Sequence, residues 1–472
     1  MKPFRAFLYV FSILIGFLAV SFFFQEVENP SHIQTETFVS KQEKKEETKA
    51  WLNVKQTSDS LFGSGFPDLQ KTERINFTDT ILIAETITET GKSGIIFPSG
   101  DTTLLYPFFQ KLKNLHTTQI PLRIIYFGDS QIENDRITST LRKHLQQKFG
   151  GAGIGLIAPD WLYNLSHSFS VERSENWNTK DFLDLKERFK NKSLVFKSTF
   201  LASGEEGWFK IKQIRSKENL DDYSQLKFFF HSNGKSDITA KTGGETIYKG
   251  TLDKTTGSGV LNFSFNFTPP SFELYFQSAD SFEIAAFSLE SQTGGIQVDN
   301  IALRGQSFPP FSKSDKQALK ETARLINPGL CILHFGVNIA PHILQSYHHY
   351  QVQLVREIKE VQFLFPGVPI LVIGISDMAR KKGGEMVSYP NIKEIKMEQK
   401  KAARTCNCAF WDLEEFMGGT GSMVKWVNSD PRLGQKDYVH FTAKGAEKTG
   451  EQLHKLIITE YENYLSCTTT TE

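Results

Sequence analysis

The sequence predicts an α/β protein whose parallel sheet, covered by helices on both faces, is interrupted by an all-β sandwich. Strand and helix patterns alternate at about 76–164 and again at 296–466, which is typical of a parallel sheet in a layered α/β domain. Between them, at 165–295, short aromatic runs alternate with Gly, Asn and Ser turns and show no helical period, as in a β-sandwich. With 472 residues, the chain is long enough to form both domains.

The chain begins with an apolar run at 7–24, preceded by Lys2 and Arg5. These 18 residues just suffice to span a bilayer, and the basic residues before them favour a cytoplasmic N-terminus. We therefore expect residues 1–25 to anchor an exported, periplasmic body in the inner membrane.

The alternative for this segment is a cleaved signal peptide, because the small residues at 19 and 21 form a candidate cleavage site. The body is exported in either case. The polar, charge-rich stretch at 26–75 predicts a tether. At the other end, 467–472 predict a short tail.

Composition excludes some functions. The net charge is +1, so no global field attracts nucleic acid, and we expect no nucleic-acid partner. Cys331, Cys406, Cys408 and Cys467 do not predict a zinc site, because no His follows the tight Cys pair at ligand spacing. Buried thiols are the expected state, while a bridge from Cys331 to Cys406 or to Cys408 stays open for an exported protein.

The first α/β part opens with two short strand patterns, at 80–88 and 93–100. Apolar residues at helical spacing follow at 104–115. The run LRIIYFGDS at 122–130 is apolar except for Arg123 and its last three residues, as in a strand buried on both faces of a sheet. An amphipathic helix is predicted next, at 134–150.

The second α/β part resumes the same alternation after the sandwich. Its predicted strands and helices are, in order, a strand at 295–305, a helix at 312–326, a strand at 329–336, a helix at 347–365, a strand at 369–376, a helix at 392–406, a strand leading into a helix at 408–417, and a last helix at 442–465.

Polar residues follow several of these strands. Ser130 ends the first long strand, Gly305 and Asn338 follow two later ones, and Asp437 and His440 stand just before the last helix. Ligands of open parallel sheets bind at the carboxyl ends of the strands. We therefore expect these residues to meet at one edge of the sheet.

Together these residues predict a serine nucleophile. Ser130 would attack, His440 would take its proton, and Asp437 would orient the imidazole. The backbone N–H groups of Ser130 and Gly305 and the side chain of Asn338 would stabilise the oxyanion. In isolation, Ser130 could equally be a helix N-cap; the ordered set favours the nucleophile. This chemistry needs no metal or organic cofactor.

The pattern resembles the SGNH/GDSL hydrolase superfamily. Ser130 in FGDSQ matches the nucleophile of its first block, and Gly305 in LRGQS the donor of its second. Asn338 in HFGVNIA matches the third block, and Asp437 and His440 in KDYVHFT match the fifth.

The resemblance covers about 120–160 and 296–465. Within the family, three segments look like exported bacterial peptidoglycan O-acetylesterases: GDSQIENDRITSTLRKHLQQKFGGAGIGLIAP, FWDLEEFMGGTGSM and DYVHFT. The resemblance implies a flavodoxin-like three-layer sheet with a jelly-roll-like insertion, which in those enzymes resembles a carbohydrate-binding module. It implies a serine esterase that removes O-acetyl groups from a glycan polymer such as peptidoglycan. Two departures stand out: Gln131 replaces the usual Leu, and Ile339 replaces a common acidic residue.

Two other functions stay open. An acetyltransferase would pass the acetyl group to a sugar hydroxyl through the same triad, and an inert hydrolase domain would leave a membrane-tethered glycan-binding protein. Asp129 is interpreted as a turn residue and His334 as a packed histidine, while Asp377 fits a cleft residue and a loop residue equally well. Stacking on sugar and packing in a core both stay open for four tryptophans, and core packing is the commoner role: Trp177, Trp208, Trp411 and Trp426.

Overall fold

The computed structural model describes residues 94–159, 169–184, 186, 190, 192–214, 222–255 and 258–469. The predicted anchor at 7–24, the tether at 26–75 and the strand predicted at 80–88 lie outside these residues. Within the described ranges, no helix has both the length and the apolar character needed to cross a membrane.

The secondary structure follows the predicted alternation. The strands are β1 (Ile95–Ile96), β2 (Leu122–Gly128), β3 (Gly155–Ile157), β4 (Phe169–Arg173), β5 (Asn178–Asp181), β6 (Lys197–Leu201), β7 (Glu206–Gln213), β8 (Gln225–Ser232), β9 (Ser236–Thr242), β10 (Glu245–Leu252), β11 (Gly259–Ser264), β12 (Ser271–Ser278), β13 (Phe282–Glu290), β14 (Ile296–Ala302), β15 (Leu330–His334), β16 (Ile370–Ile373), β17 (Ala379–Lys382), β18 (Glu385–Ser388) and β19 (Ala409–Trp411). The helices are α1 (Tyr106–Lys113), α2 (Thr138–Phe149), α3 (Lys316–Ile326), α4 (His348–Leu364), α5 (Ile392–Thr405), α6 (Leu413–Met417), α7 (Ser422–Asn428) and α8 (Ala443–Thr469).

The main sheet has six strands in the order β1-β19-β16-β15-β2-β14. All neighbours from β14 to β19 pair in parallel, and only the edge strand β1 is antiparallel to its neighbour. Strand β14, which follows the insertion, pairs with one edge of β2, and the next strand of the main sheet, β15, pairs with the other edge. This reversal of strand order next to β2 is where ligands of open α/β sheets bind.

Strand β2 is buried along its whole length because helices and loops cover both faces of the sheet. Ile124 and Tyr126 belong to the core that α1, α2 and α8 share with the sheet. Phe127 points to the other face, where its ring contacts Phe196 and Phe311. Burial of each such side chain contributes roughly 1.5–3 kcal/mol. The predicted α/β class with a parallel sheet is confirmed.

The described residues of the inserted region form two β-sheets. A five-stranded sheet, β10-β9-β12-β7-β4, accompanies a six-stranded sheet, β11-β8-β13-β6-β5, and both contribute to one aromatic-rich core. The strands alternate as the sequence predicts: Phe272, Leu274 and Phe276 of β12 are buried, while Tyr275 is exposed. Strand β3, which precedes residue 165, pairs with β13 of the six-stranded sheet.

A buried ion cluster joins the insertion to the main sheet. Arg123 of β2 forms ion pairs with Asp299 of β14 and Glu290 of β13, and Lys227 of β8 also pairs with Glu290. The backbone N–H of Leu156 in β3 donates to Asp299 (2.9 Å). These contacts fix the β-module against β2, the strand that leads to Ser130.

The structure also corrects some boundaries and adds elements. Helix α8 extends to Thr469, so it includes the start of the expected tail at 467–472. The hairpin β17–β18 and helix α7 were not predicted. Among the described residues all cysteines are free: Cys331, Cys406 and Cys408 are buried and Cys467 is exposed. None of the bridges left open by the sequence is present.

Candidate active site

Ser130 begins a 3₁₀ turn, Ser130–Asp135, directly after β2. The residue that caps this turn is Asp129, whose Oδ1 accepts the N–H of Gln131 (3.0 Å). The Ser130 hydroxyl therefore has no capping role and is available to another partner. A side chain at Gly128 would collide with Ile132 and with the backbone oxygen of His334, at 2.8 and 2.9 Å, so the turn needs glycine there.

Three polar side chains, which come from two distant parts of the sequence, form a hydrogen-bonded chain here. The Oγ of Ser130 lies 2.8 Å from Nε2 of His440, and Nδ1 of His440 lies 2.7 Å from Oδ2 of Asp437. A carboxylate can only accept, so Nδ1 carries the proton and Nε2 is free to accept the serine proton. This geometry is that of a nucleophile, a base and an orienting carboxylate.

Asp437 is held as a carboxylate by its surroundings. Partial burial alone would raise its pKa, but the hydrogen bond from His440 and backbone N–H groups hold the pKa below its usual value. Those backbone donors are Val439 (2.9 Å) and His440 itself (3.0 Å), both to Oδ1. An ionised Asp437 can stabilise an imidazolium formed at His440.

Gln131, a departure from the family pattern, holds the loop that carries His440. Its side chain is fully buried. Nε2 donates to the carbonyl of Val439 (2.9 Å) and to Ser376 Oγ (3.2 Å), and Oε1 accepts the N–H of Phe441 (3.2 Å). The amide thus bonds both residues that flank His440. The sequence showed Gln131 as unusual but did not predict this contact.

Asp129 connects the nucleophile turn to the loop after β15. Its Oδ2 accepts the backbone N–H groups of Gly336 (3.0 Å) and Val337 (3.3 Å). Burial raises the pKa of Asp129 to about 6, although these hydrogen bonds act in the opposite direction. The contacts match the expected structural role of Asp129, and they fix the loop from which Asn338 projects.

Asn338 and Gly305 lie on neighbouring segments beside this turn. Nδ2 of Asn338 donates to the carbonyl of Gln306 (2.8 Å), and the N–H of Leu303 donates to the carbonyl of Gly128 (2.7 Å). Gly305 has a φ of 78°, and a Cβ there would meet no atom within 4 Å. Glycine suits position 305 because it adopts a positive φ without steric cost.

Ser130 and His440 line an open cavity of about 530 Å³, a size suited to a small ligand. Arg304 and Glu133 face each other in its wall and form a two-fold ion pair, Nε to Oε1 at 2.6 Å and Nη2 to Oε2 at 2.7 Å. Arg136, also in the wall, donates to the carbonyls of Ser130 (2.9 Å) and Glu133 (2.8 Å). Its position stiffens the nucleophile turn.

Other sequence candidates take structural positions. Asp377 is buried, and its Oδ2 accepts the N–H of Met423 (2.8 Å) at the start of α7. His334 is buried and bonds Tyr126. Among the tryptophans the buried ones are Trp177, Trp411 and Trp426, whereas Trp208 is 36% exposed on the β-module.

Comparison with known proteins supports the fold. No protein-family model and no curated protein matches the sequence. Among solved structures, a peptidoglycan O-acetylesterase aligns with a TM-score of 0.60 and 22% identity, over 76% of this chain and 96% of that one. The chain therefore shares its fold with this peptidoglycan O-acetylesterase.

Two further solved structures align less well. A family two carbohydrate esterase from Clostridium thermocellum in complex with cellohexaose has a TM-score of 0.26 and 11% identity, over 63% of this chain and 99% of that one. A salicylyl-acyltransferase from a tetracycline biosynthetic pathway has a TM-score of 0.27 and 12% identity, over 64% and 96%. Neither likeness is close enough to support a functional argument.

Proposed function

We propose that this protein is a serine esterase that removes O-acetyl groups from an extracytoplasmic glycan, with acetylated peptidoglycan as the substrate. The observation that carries the proposal is the hydrogen-bonded chain of Ser130, His440 and Asp437, which opens on a cavity large enough for a sugar. The fold shared with a peptidoglycan O-acetylesterase supports the choice of glycan.

The reaction would proceed through an acetyl-enzyme. Ser130 Oγ attacks the acetyl carbonyl carbon while its proton passes to Nε2 of His440. The bond to the sugar oxygen then breaks, and His440 returns the proton to that oxygen. Water attacks the acetyl group next, again giving a proton to His440, and acetate leaves with regeneration of Ser130. Asp437 stabilises the imidazolium in both steps.

The negative charge that develops on the carbonyl oxygen needs donors. We assign this role to the backbone N–H groups of Ser130 and Gly305 and to Nδ2 of Asn338. The hydrogen bond of Asn338 to Gln306 supports the assignment, because it joins the side chain to the segment of Gly305. An amide NH₂ has two hydrogens, so this bond leaves the second for a substrate.

The proposal also covers the type of the two folds and the location of the protein. The strand order of the main sheet supports a flavodoxin-like arrangement, and the two packed sheets of the insertion support a jelly-roll-like module. The apolar run at 7–24 supports export to the periplasm and attachment to the inner membrane. A tether of about 50 residues would let the domain reach the cell wall.

The test is acetate release from isolated acetylated cell wall by the wild type and by Ser130→Ala. We expect the substitution to lower the rate by roughly 10³-fold or more, because the nucleophile is lost. The matched control is Ser232→Ala, which removes a buried hydroxyl in β8 of the insertion and should keep the wild-type rate. Equal rates for the wild type and Ser130→Ala would refute the proposal. Adding an unacetylated sugar oligomer separates hydrolysis from acetyl transfer.

A further inference from the structure

The turn after the nucleophile has an unfavourable backbone. Asn134 and Asp135, which are not glycines, have φ values of 61° and 58°. Two successive left-handed residues persist only where surrounding contacts enforce them, and such residues cluster at functional sites. Contacts with other residues must therefore hold Asn134 and Asp135 in this conformation.

Contacts of Asp135 enforce this conformation. Its Oδ2 and Oδ1 accept from Nη1 and Nη2 of Arg142 (2.6 and 2.8 Å), and Thr138 donates to Oδ1. Arg142 also donates to the carbonyl of Val298 in β14 (2.8 Å). The turn is thereby bound to α2 and to the main sheet. None of these contacts involves the side chain of Asn134, which lines the cavity beside Ser130.

The polar side chains in the cavity wall differ in what they contact. The carboxylate of Glu133 accepts from Arg304, and Nε2 of Gln435 donates to the carbonyl of Phe441 (2.9 Å). Asn134 is different: its Oδ1 is buried, and no group of the described chain donates to it. Buried acceptors normally have a donor, and an acceptor without one is costly.

We propose that Asn134 binds the sugar that carries the acetyl ester. Rotation of the side-chain amide turns Oδ1 towards the cavity, where it accepts a hydrogen bond from a hydroxyl or an acetamido N–H next to the acetylated position. The forced turn holds the amide beside Ser130, so that sugar binding and nucleophile placement depend on one short segment. This inference rests on the proposed function, which it extends from the acetyl group to the sugar.

The test uses Asn134→Gly. Glycine adopts the left-handed conformation freely, so the turn should keep its shape while the amide is lost. For an acetylated sugar we expect kcat/KM to fall about tenfold, mainly through KM, because one buried hydrogen bond is removed. The loss should be several-fold smaller for p-nitrophenyl acetate, which has no sugar.

The matched control is Asn327→Gly. Asn327 also has a positive φ, 45°, but it caps the end of α3, before β15 begins and therefore at the opposite edge of the sheet. Its substitution should change neither activity. Two acetylated sugars identify the donor: one has a hydroxyl next to the ester and the other has an acetamido group there. The sugar that loses more kcat/KM in Asn134→Gly carries the group that donates to Asn134.

A binding measurement separates this inference from the proposed function. We would titrate an unacetylated sugar oligomer into Ser130→Ala and into Ser130→Ala with Asn134→Gly. Weaker binding to the double variant supports the inference even where no acetate is released. Equal binding, or an equal loss of kcat/KM on both types of ester, overturns it and assigns Asn134 a purely structural role in the turn.

Discussion

The contact between Gln131 and the His440 loop can be tested by Gln131→Leu, which introduces the residue usual in the superfamily that the sequence resembles. Leucine removes three side-chain hydrogen bonds and leaves the fully buried N–H of Phe441 without its acceptor. An unsatisfied buried group costs about 1–3 kcal/mol, so we expect the free energy of unfolding to fall by roughly 2–4 kcal/mol.

The effect on catalysis should be larger than the loss of stability explains. Val439 and Phe441 flank His440, so releasing both allows the imidazole to move away from Ser130. A displacement of 1 Å can cost about 10²-fold in rate. We therefore expect kcat on p-nitrophenyl acetate to fall by about 10²-fold while the protein stays folded.

The assay measures kcat and its pH dependence together with urea unfolding. The matched control is Gln297→Leu, which removes a buried amide that donates to the carbonyl of Gly153 (3.1 Å). Gln297 lies near the beginning of β14, away from the carboxyl ends of the strands. The control should lose stability but keep kcat. If Gln131→Leu is destabilised as expected yet keeps the wild-type kcat, Gln131 does not position His440.

Two further substitutions test the ionisable groups. Asp437→Asn should lower kcat by about 10⁴-fold, because an amide can donate to Nδ1 and favour the wrong imidazole tautomer; a loss below tenfold on p-nitrophenyl acetate would contradict this role. Glu357 is a buried residue of α4, and burial raises its pKa to about 7. The folded protein therefore binds an extra proton between about pH 4.5 and 7. Its free energy of unfolding should fall as the pH rises through that window. Urea titrations at pH 5 and 7.5 measure the difference in the free energy of unfolding between these two pH values, and Glu357→Gln should reduce that difference by up to about 3 kcal/mol.

Much of the fold was readable because each element has a local signature. The run that forms β2 shows no alternation of apolar and polar residues, which indicates burial on both faces of the sheet. In the structure every residue of β2 is buried. The hairpin β17–β18 was missed because its short strands, ARKK and EMVS, are mostly exposed and carry little hydrophobic pattern. The pairing of β3 with β13 was not predicted, because β3 is only three residues long.

The candidate site was readable in part. The types and order of Ser130, Asp437 and His440 predicted a nucleophile, an orienting carboxylate and a base. The structure brings these three side chains into one hydrogen-bonded chain. The roles of Gln131 and Asn134 were not readable. A buried amide and a polar turn residue look alike in sequence, although asparagine is a residue that tolerates a positive φ, which is a weak signal for the turn at 134.

The sequence by itself determined the local properties: which segments form strands or helices, where the aromatic module interrupts them, and which residues can act as nucleophile, base and donor. Only the tertiary structure decided which of them meet. The 2.8 Å contact joins residues 310 positions apart, and it exists because β2, β14 and β15 are parallel neighbours whose ends lie at one edge. Whether the buried amide of Gln131 or the buried Oδ1 of Asn134 has a partner likewise depends on distant chain segments, which local patterns do not specify.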